Sequence, residues 1–294
     1  MKRFSIPALS ATVIALSGIS LILRVICMLS FYNNGYYRSG AALPIVANVF
    51  FIIAIAIFLL ASILCVKRTT QILAPSKIAR YAAILPMSAS VFCAAQTITS
   101  LTAKGAAESS SGFLPVATLL CAVVSAIFFF LIFFAPKQIN ATVYCGLGAI
   151  ALVFFLWISS YFDFSSPINS ADRNLFYVSC AGAMLFIFNE LCAIYGSVKP
   201  RFYCFSIFSA IFALASSAIP TIIGFATNKI DSYSNLEGDV LFAALLVYAT
   251  ARLVTLASAA KSDVAETDVN VGDEEKTEEK VEEPVEESAK KEAE

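Results

Sequence analysis

The sequence contains no histidine among its 294 residues. Haem sites with histidine ligands, HExxH zinc sites and catalytic triads with a histidine base are therefore excluded. Charged residues are also scarce, at 14% of the chain, whereas about one quarter is typical of soluble domains. No P-loop and no GxGD membrane-aspartate motif is present. These absences argue against a P-loop nucleotide-binding protein and against a membrane aspartyl protease.

The eight cysteines form no CxxC pair, and every one lies in an apolar run. Disulfide frameworks belong mainly to small extracellular modules. We therefore interpret these cysteines as small apolar packing residues, not as disulfide partners or metal ligands.

The chain is dominated by eight long apolar runs. Each contains about the 20 residues that a helix needs to cross a bilayer, and none shows the alternation of a membrane β-barrel strand. The sequence predicts an all-α bundle of about eight transmembrane helices over residues 1–260. The runs span residues 8–29, 41–66, 81–103, 113–135, 141–161, 175–197, 202–224 and 240–260.

The first run follows Lys2 and Arg3 and is longer than a typical signal-peptide core, so we interpret it as a retained helix. If it starts inside, ten basic residues fall on the inner side of the membrane and four on the outer side. The positive-inside rule then predicts that both termini are cytoplasmic. The inner residues are Lys2, Arg3, Lys67, Arg68, Lys77, Arg80, Lys137, Lys199, Arg201 and Lys261, and the outer ones are Arg38, Lys104, Arg173 and Lys229.

The last segment, residues 261–294, contains fourteen acids, five lysines and no aromatic residue. Such a composition cannot bury a core, which predicts a disordered acidic cytoplasmic tail. The tail is a candidate docking segment for a cytoplasmic or membrane protein.

Glu190 is the only acidic residue in the eight runs, and Asn189 precedes it. At about 1.5 Å per helical residue, Glu190 lies about 22 Å and Arg252 about 18 Å from the outer helix ends. The two can form an ion pair if their helices are neighbours. Arg24, Gln96 and Asn48 lie in the outer half of the membrane. We expect Arg24 to bond one of those two amides or to reach the outer headgroups.

Two further features concern packing. Pro86 and Pro220 lie within apolar runs and predict helix kinks. The run at 202–224 carries a surface of small residues, which favours close helix packing over a solute path. Its members are Ser206, Ser209, Ala213, Ser216 and Ser217.

Three functional hypotheses remain open. In the first, the protein is a non-enzymatic membrane component that acts through partners, and Glu190 and Arg252 form a structural clamp. In the second, it is a small-solute or ion transporter that uses this pair, since ionisable groups within membranes often mark function. In the third, it is an intramembrane lipid-modifying enzyme that depends on Asp163, Asp172 or Glu190. No cofactor, metal or nucleic acid is expected in any of them.

The segment from Tyr161 to Gly196 contains an outer-loop pattern followed by a helix pattern that ends in a glutamate. The residues of the two patterns are Phe162, Asp163, Pro167, Asn169, Ser170, Met184, Leu185, Phe186 and Glu190. With these residues the segment resembles a stretch of multi-helix membrane proteins from clostridia-type Gram-positive bacteria, a group without an assigned activity. The resemblance covers about 35 residues strongly and implies a bacterial cytoplasmic membrane protein. Where that group often has a basic residue shortly after the glutamate, this chain has Leu191, Cys192 and Ala193.

Overall fold

A computed structural model describes residues 6–33, 36–38, 40–66, 72, 75–103, 112–134, 138–162, 170–230 and 236–278, with backbone alone at 33, 172 and 261–278. A two-residue antiparallel hairpin pairs β1 (Tyr32–Asn33) with β2 (Tyr36–Tyr37). Every other element within these ranges is a helix. The helices are α1 (Ile6–Phe31), α2 (Ala42–Cys65), α3 (Lys77–Ala82), α4 (Ile84–Ala103), α5 (Phe113–Phe134), α6 (Ile139–Phe162), α7 (Ala171–Tyr195), α8 (Pro200–Ala226) and α9 (Leu236–Glu278).

The described residues contain eight spans that are long and apolar enough to cross a membrane. The short helix α3 and α4 together form one of them, over Lys77–Thr102. The prediction of an all-α bundle with eight transmembrane helices is confirmed. The chain is a multi-pass integral membrane protein.

The two prolines act differently. Pro220 lies inside α8, as predicted. Pro86 lies in the first turn of α4, directly after the break at Ala83, and not in a helix interior as predicted. Proline has no N–H and its ring crowds the carbonyl four residues earlier, which here is that of Ala82. The helix α3 ends at Ala82, so Pro86 marks the break between α3 and α4.

The helix α8 lies at the centre of the bundle, since 83% of the residues in its 18-residue apolar stretch are buried. It packs against α1, α2, α7 and α9. Small side chains permit these close contacts, as the sequence predicted. Ser216 forms a 2.7 Å hydrogen bond with Ser20 of α1, and Ser217 bonds Ser179 of α7.

The helix α2 lies at the edge of the bundle, since only 22% of the residues in its 18-residue apolar stretch are buried. Its outward side chains, including Ile45 and Leu64, are 63% and 73% exposed. An exposed apolar face is what a lipid-facing helix requires. All eight cysteines are free thiols in this structure, four of them buried.

The helix α9 continues to Glu278, beyond the membrane span that ends at Ala260. The backbone of residues 261–278 is helical, while 279–294 lie outside the described residues, and the disordered tail stays a prediction. Disorder was predicted because this segment cannot bury a core. The membrane span of α9 supplies a formed helical turn from which the backbone continues.

The approach of α7 to α8 is close at Gly182. A Cβ atom there would lie 3.2 Å from the Cβ of Ala213 and 3.6 Å from the Cα of Ala210. Gly182→Leu should therefore force α7 and α8 apart and destabilise the bundle by roughly 1–3 kcal/mol. Thermal unfolding in a mild detergent measures this. Gly18→Leu is the matched control, because a Cβ at Gly18 meets nothing within 4 Å. Equal melting temperatures for the two variants would contradict the packing.

Candidate functional site

A buried carboxylate with three side-chain partners lies between α7, α8 and α9. Oε1 of Glu190 lies 2.8 Å from Nε of Arg252 and accepts a 2.8 Å hydrogen bond from the Tyr248 hydroxyl. Oε2 accepts a 2.5 Å hydrogen bond from the Tyr203 hydroxyl. Each of the four residues is at most 1% exposed. We call these four residues the Glu190 cluster.

The helix geometry explains why these residues meet. Tyr248 and Arg252 are four positions apart on α9, so they share one helix face. The helix α7 ends at Gly196, whose φ of 81° is the left-handed conformation that glycine adopts readily. A short turn then leads to Pro200 at the start of α8. The turn between α7 and α8 brings Tyr203, in the first turn of α8, back beside Glu190 near the end of α7.

The Glu190 cluster contains one negative and one positive charge, so its formal charges cancel. The guanidinium carbon of Arg252 lies 5.7 Å from the centre of the Tyr203 ring, which adds a cation–π contact. Both carboxylate oxygens have partners. An ion pair with additional hydrogen bonds is the arrangement that makes charge burial tolerable in a low-dielectric interior.

The other predicted polar residues lie elsewhere. Arg24 is 3% exposed on α1 and donates from Nη2 to Oδ1 of Asn48 on α2, at 2.7 Å. Of the two expected amide partners the structure therefore selects Asn48. Gln96 is exposed on α4, where its side-chain oxygen lies 3.5 Å from the Thr99 hydroxyl in the same helix. Asn189 donates to the Leu185 carbonyl of its own helix at 2.9 Å.

The sequence analysis missed both tyrosines of the Glu190 cluster. The spacing of Tyr248 and Arg252 was a usable signal, because it places a hydroxyl on the same face as the arginine. Tyr203 had no such signal, since its position depends on the turn between α7 and α8.

Two further buried charged residues, Arg173 and Asp239, were also missed. Each is 1% exposed and lies in the first turn of its helix, α7 or α9. Arg173 was counted as an outer loop residue, and Asp239 immediately precedes the run at 240–260. Both helices begin one turn before their apolar runs. Extending each run by a turn would have included both residues.

Within the described part of the chain, no three Cys, Asp or Glu side chains cluster as a metal site would require. The hypothesis of a lipid-modifying enzyme named two loop carboxylates. Asp163 and the side chain of Asp172 lie outside the described residues.

Comparisons of the chain with models of protein families, with curated proteins and with solved structures find no match. The resemblance to membrane proteins of clostridia-type bacteria therefore stays a prediction. Residues 163–169, which contain Asp163, Pro167 and Asn169 of that resemblance, lie outside the described residues.

The two tyrosines of the Glu190 cluster should contribute measurably to stability. Tyr203→Phe and Tyr248→Phe each remove one hydrogen bond to a buried carboxylate, which is worth about 1.5–3 kcal/mol. Both variants should unfold at lower temperature than the natural chain in detergent. Tyr195→Phe is the matched control, because Tyr195 is 65% exposed at the end of α7. If all three variants melt alike, the hydroxyls are not stabilising Glu190.

Proposed function

We propose that this protein is a non-enzymatic membrane component that acts through partners, with the Glu190 cluster as its internal clamp. The observation that carries the proposal is that protein side chains contact both oxygens of the Glu190 carboxylate. Both oxygens of Glu190 are engaged, and the four side chains are at most 1% exposed. A substrate or ion at Glu190 would first have to displace a protein partner.

The clamp joins three helices. Glu190 belongs to α7, Tyr203 to α8, and Tyr248 and Arg252 to α9. Removing either charge would leave the other buried without its partner, which typically costs about 3–5 kcal/mol. The cluster therefore favours one arrangement of these helices over others.

A small-solute or ion transporter is the second candidate. It is favoured by the fact that the contacts of Glu190 come from separate helices. Movement of α7 relative to α8 and α9 would expose the carboxylate and free it to bind a cation or proton. Such a mechanism requires a second conformation in which water reaches Glu190.

The acidic segment at residues 261–294 is the part of the chain best suited to bind a partner protein. Fourteen acids and five lysines lie in residues 261–294, beyond the membrane span. The partner proposed here carries a basic surface, because opposite charges speed and orient docking. The proposal places this segment in the cytoplasm of a bacterial cell, as the distribution of basic residues and the sequence resemblance suggest.

Purification from the native membrane in a mild detergent tests this function. The full chain should retain a protein partner in fixed stoichiometry, identified by mass spectrometry. A variant ending at residue 260 should lose that partner while it remains folded. Raising the salt concentration should also weaken the full-chain complex, because exposed charges are screened.

Two results would count against the proposal. If neither form retains a stoichiometric partner, action through the tail is ruled out and the transporter becomes the better hypothesis. If both forms retain the same partner equally, the docking surface lies in the membrane bundle and not in the tail.

A further inference from the structure

Arg24 is a buried cation with no acidic counterpart among the described residues. It is 3% exposed, and its recorded partner is the Asn48 side chain, through Nη2. Its Nε atom is buried without a hydrogen-bond partner. A guanidinium stays charged in proteins. Burying it without an acid is costly, so this position differs from the neutral Glu190 cluster.

Arg24 lines a cavity of about 520 Å³ between α1, α2 and α7. Asn48 and Asn174 add amide groups to its wall, which also includes Tyr36 of the β1–β2 hairpin. Phe51, Ile52 and Leu175 supply an apolar side. This volume lies within the roughly 300–1,000 Å³ of typical small-molecule sites, which likewise combine apolar walls with few polar groups.

The unused hydrogen-bonding capacity of these groups is mainly that of donors. Asn48 accepts from Arg24 through Oδ1, so the amino group of the same amide remains to donate. The guanidinium carries five N–H groups, and its hydrogen bond to Asn48 uses only Nη2. A positive charge beside amide donors is complementary to an oxyanion, which guanidinium groups often bind through two parallel hydrogen bonds.

The depth of the cavity also suits an anion with an apolar part. Arg24 lies seven residues before the end of α1, so its Cα is about 10 Å below that end. The cavity therefore reaches about 10 Å into the membrane span of α1 from the end of that helix. Its other wall is the start of α7, with Ala171 and Val178, so it lies at the opposite end of α7 from Glu190.

We propose that this cavity binds an amphipathic organic anion, with a carboxylate or phosphate on Arg24 and an apolar group against Phe51, Ile52 and Leu175. The anion supplies a negative charge for Arg24, which has no acidic partner among the described side chains. A water-soluble metabolite and a membrane lipid both offer this chemistry. The site is independent of the Glu190 cluster and of the proposed docking tail.

Octanoate is the first probe, because it joins a carboxylate to a short apolar chain. The full chain in an uncharged maltoside detergent is titrated with octanoate and, separately, with the neutral analogue octanamide. Saturable thermal stabilisation by octanoate alone is the expected result. Arg24→Gln should weaken binding at least about tenfold, because it removes charge-assisted hydrogen bonds.

Arg38→Gln is the matched control. Arg38 is exposed near the same hairpin and does not line the cavity. This variant removes one positive charge from the same end of the molecule, so it should bind octanoate as the natural chain does. Two milder variants cover the case in which Arg24→Gln fails to fold. Arg24→Lys keeps the charge but loses the planar fork, and Asn174→Leu leaves Arg24 in place, so each should bind measurably more weakly.

A second arm identifies the source of the anion. The protein is placed in lipid nanodiscs that contain equal phosphatidylglycerol and phosphatidylcholine, and native mass spectrometry counts the lipids that remain bound after release. Retention of phosphatidylglycerol by the natural chain and Arg38→Gln, but not by Arg24→Gln or Arg24→Lys, assigns the site to a lipid. Octanoate binding without such retention assigns it to a soluble anion.

The proposal fails if the natural chain shows neither saturable octanoate binding nor selective retention of phosphatidylglycerol. It also fails if octanamide binds as well as octanoate, or if the folded Arg24 variants and Asn174→Leu bind as tightly as the natural chain.

Discussion

The Glu190 carboxylate lies in a membrane-spanning helix where water is not available to hydrate it, so the protein itself must supply its charge partner and hydrogen bonds. Arg252 and the hydroxyls of Tyr203 and Tyr248 do so from two other helices. This requirement couples α7, α8 and α9. The small residues of α8 allow the backbones to approach closely enough for these side chains to meet, and Gly182 removes the steric barrier between α7 and α8.

Two buried arginines, Arg252 and Arg24, lie toward opposite ends of the bundle and have different partners. Arg252 is neutralised by Glu190 within a packed core, whereas Arg24 bonds a neutral amide and borders a cavity of about 520 Å³. A neutralised and enclosed pair stabilises the fold without offering a binding group. A cation beside open space has hydrogen-bonding capacity for a ligand. This contrast is the basis for proposing a structural role for Arg252 and ligand binding for Arg24.

The spans were predictable because crossing a bilayer requires about 20 apolar residues whatever the tertiary structure. The Glu190–Arg252 pair could be predicted because few charged residues lie in the apolar runs and the rise per helical residue gives the depth of each in the membrane. The partners Tyr203 and Tyr248 were not predicted, because helix order and rotation decide which hydroxyls face Glu190, and hydropathy carries neither. The same applies to the selection of Asn48 over Gln96.

A double-mutant cycle on the ion pair tests the central claim most directly. The free energy of unfolding in detergent is measured for the natural chain, Glu190→Gln, Arg252→Gln and the double variant. If the cluster is a structural clamp, each single variant loses about 3–5 kcal/mol, because one charge remains buried alone, and the double variant loses clearly less than the sum. Single losses below about 0.5 kcal/mol, or strictly additive losses, would contradict a clamp and place the pair outside the determinants of helix packing.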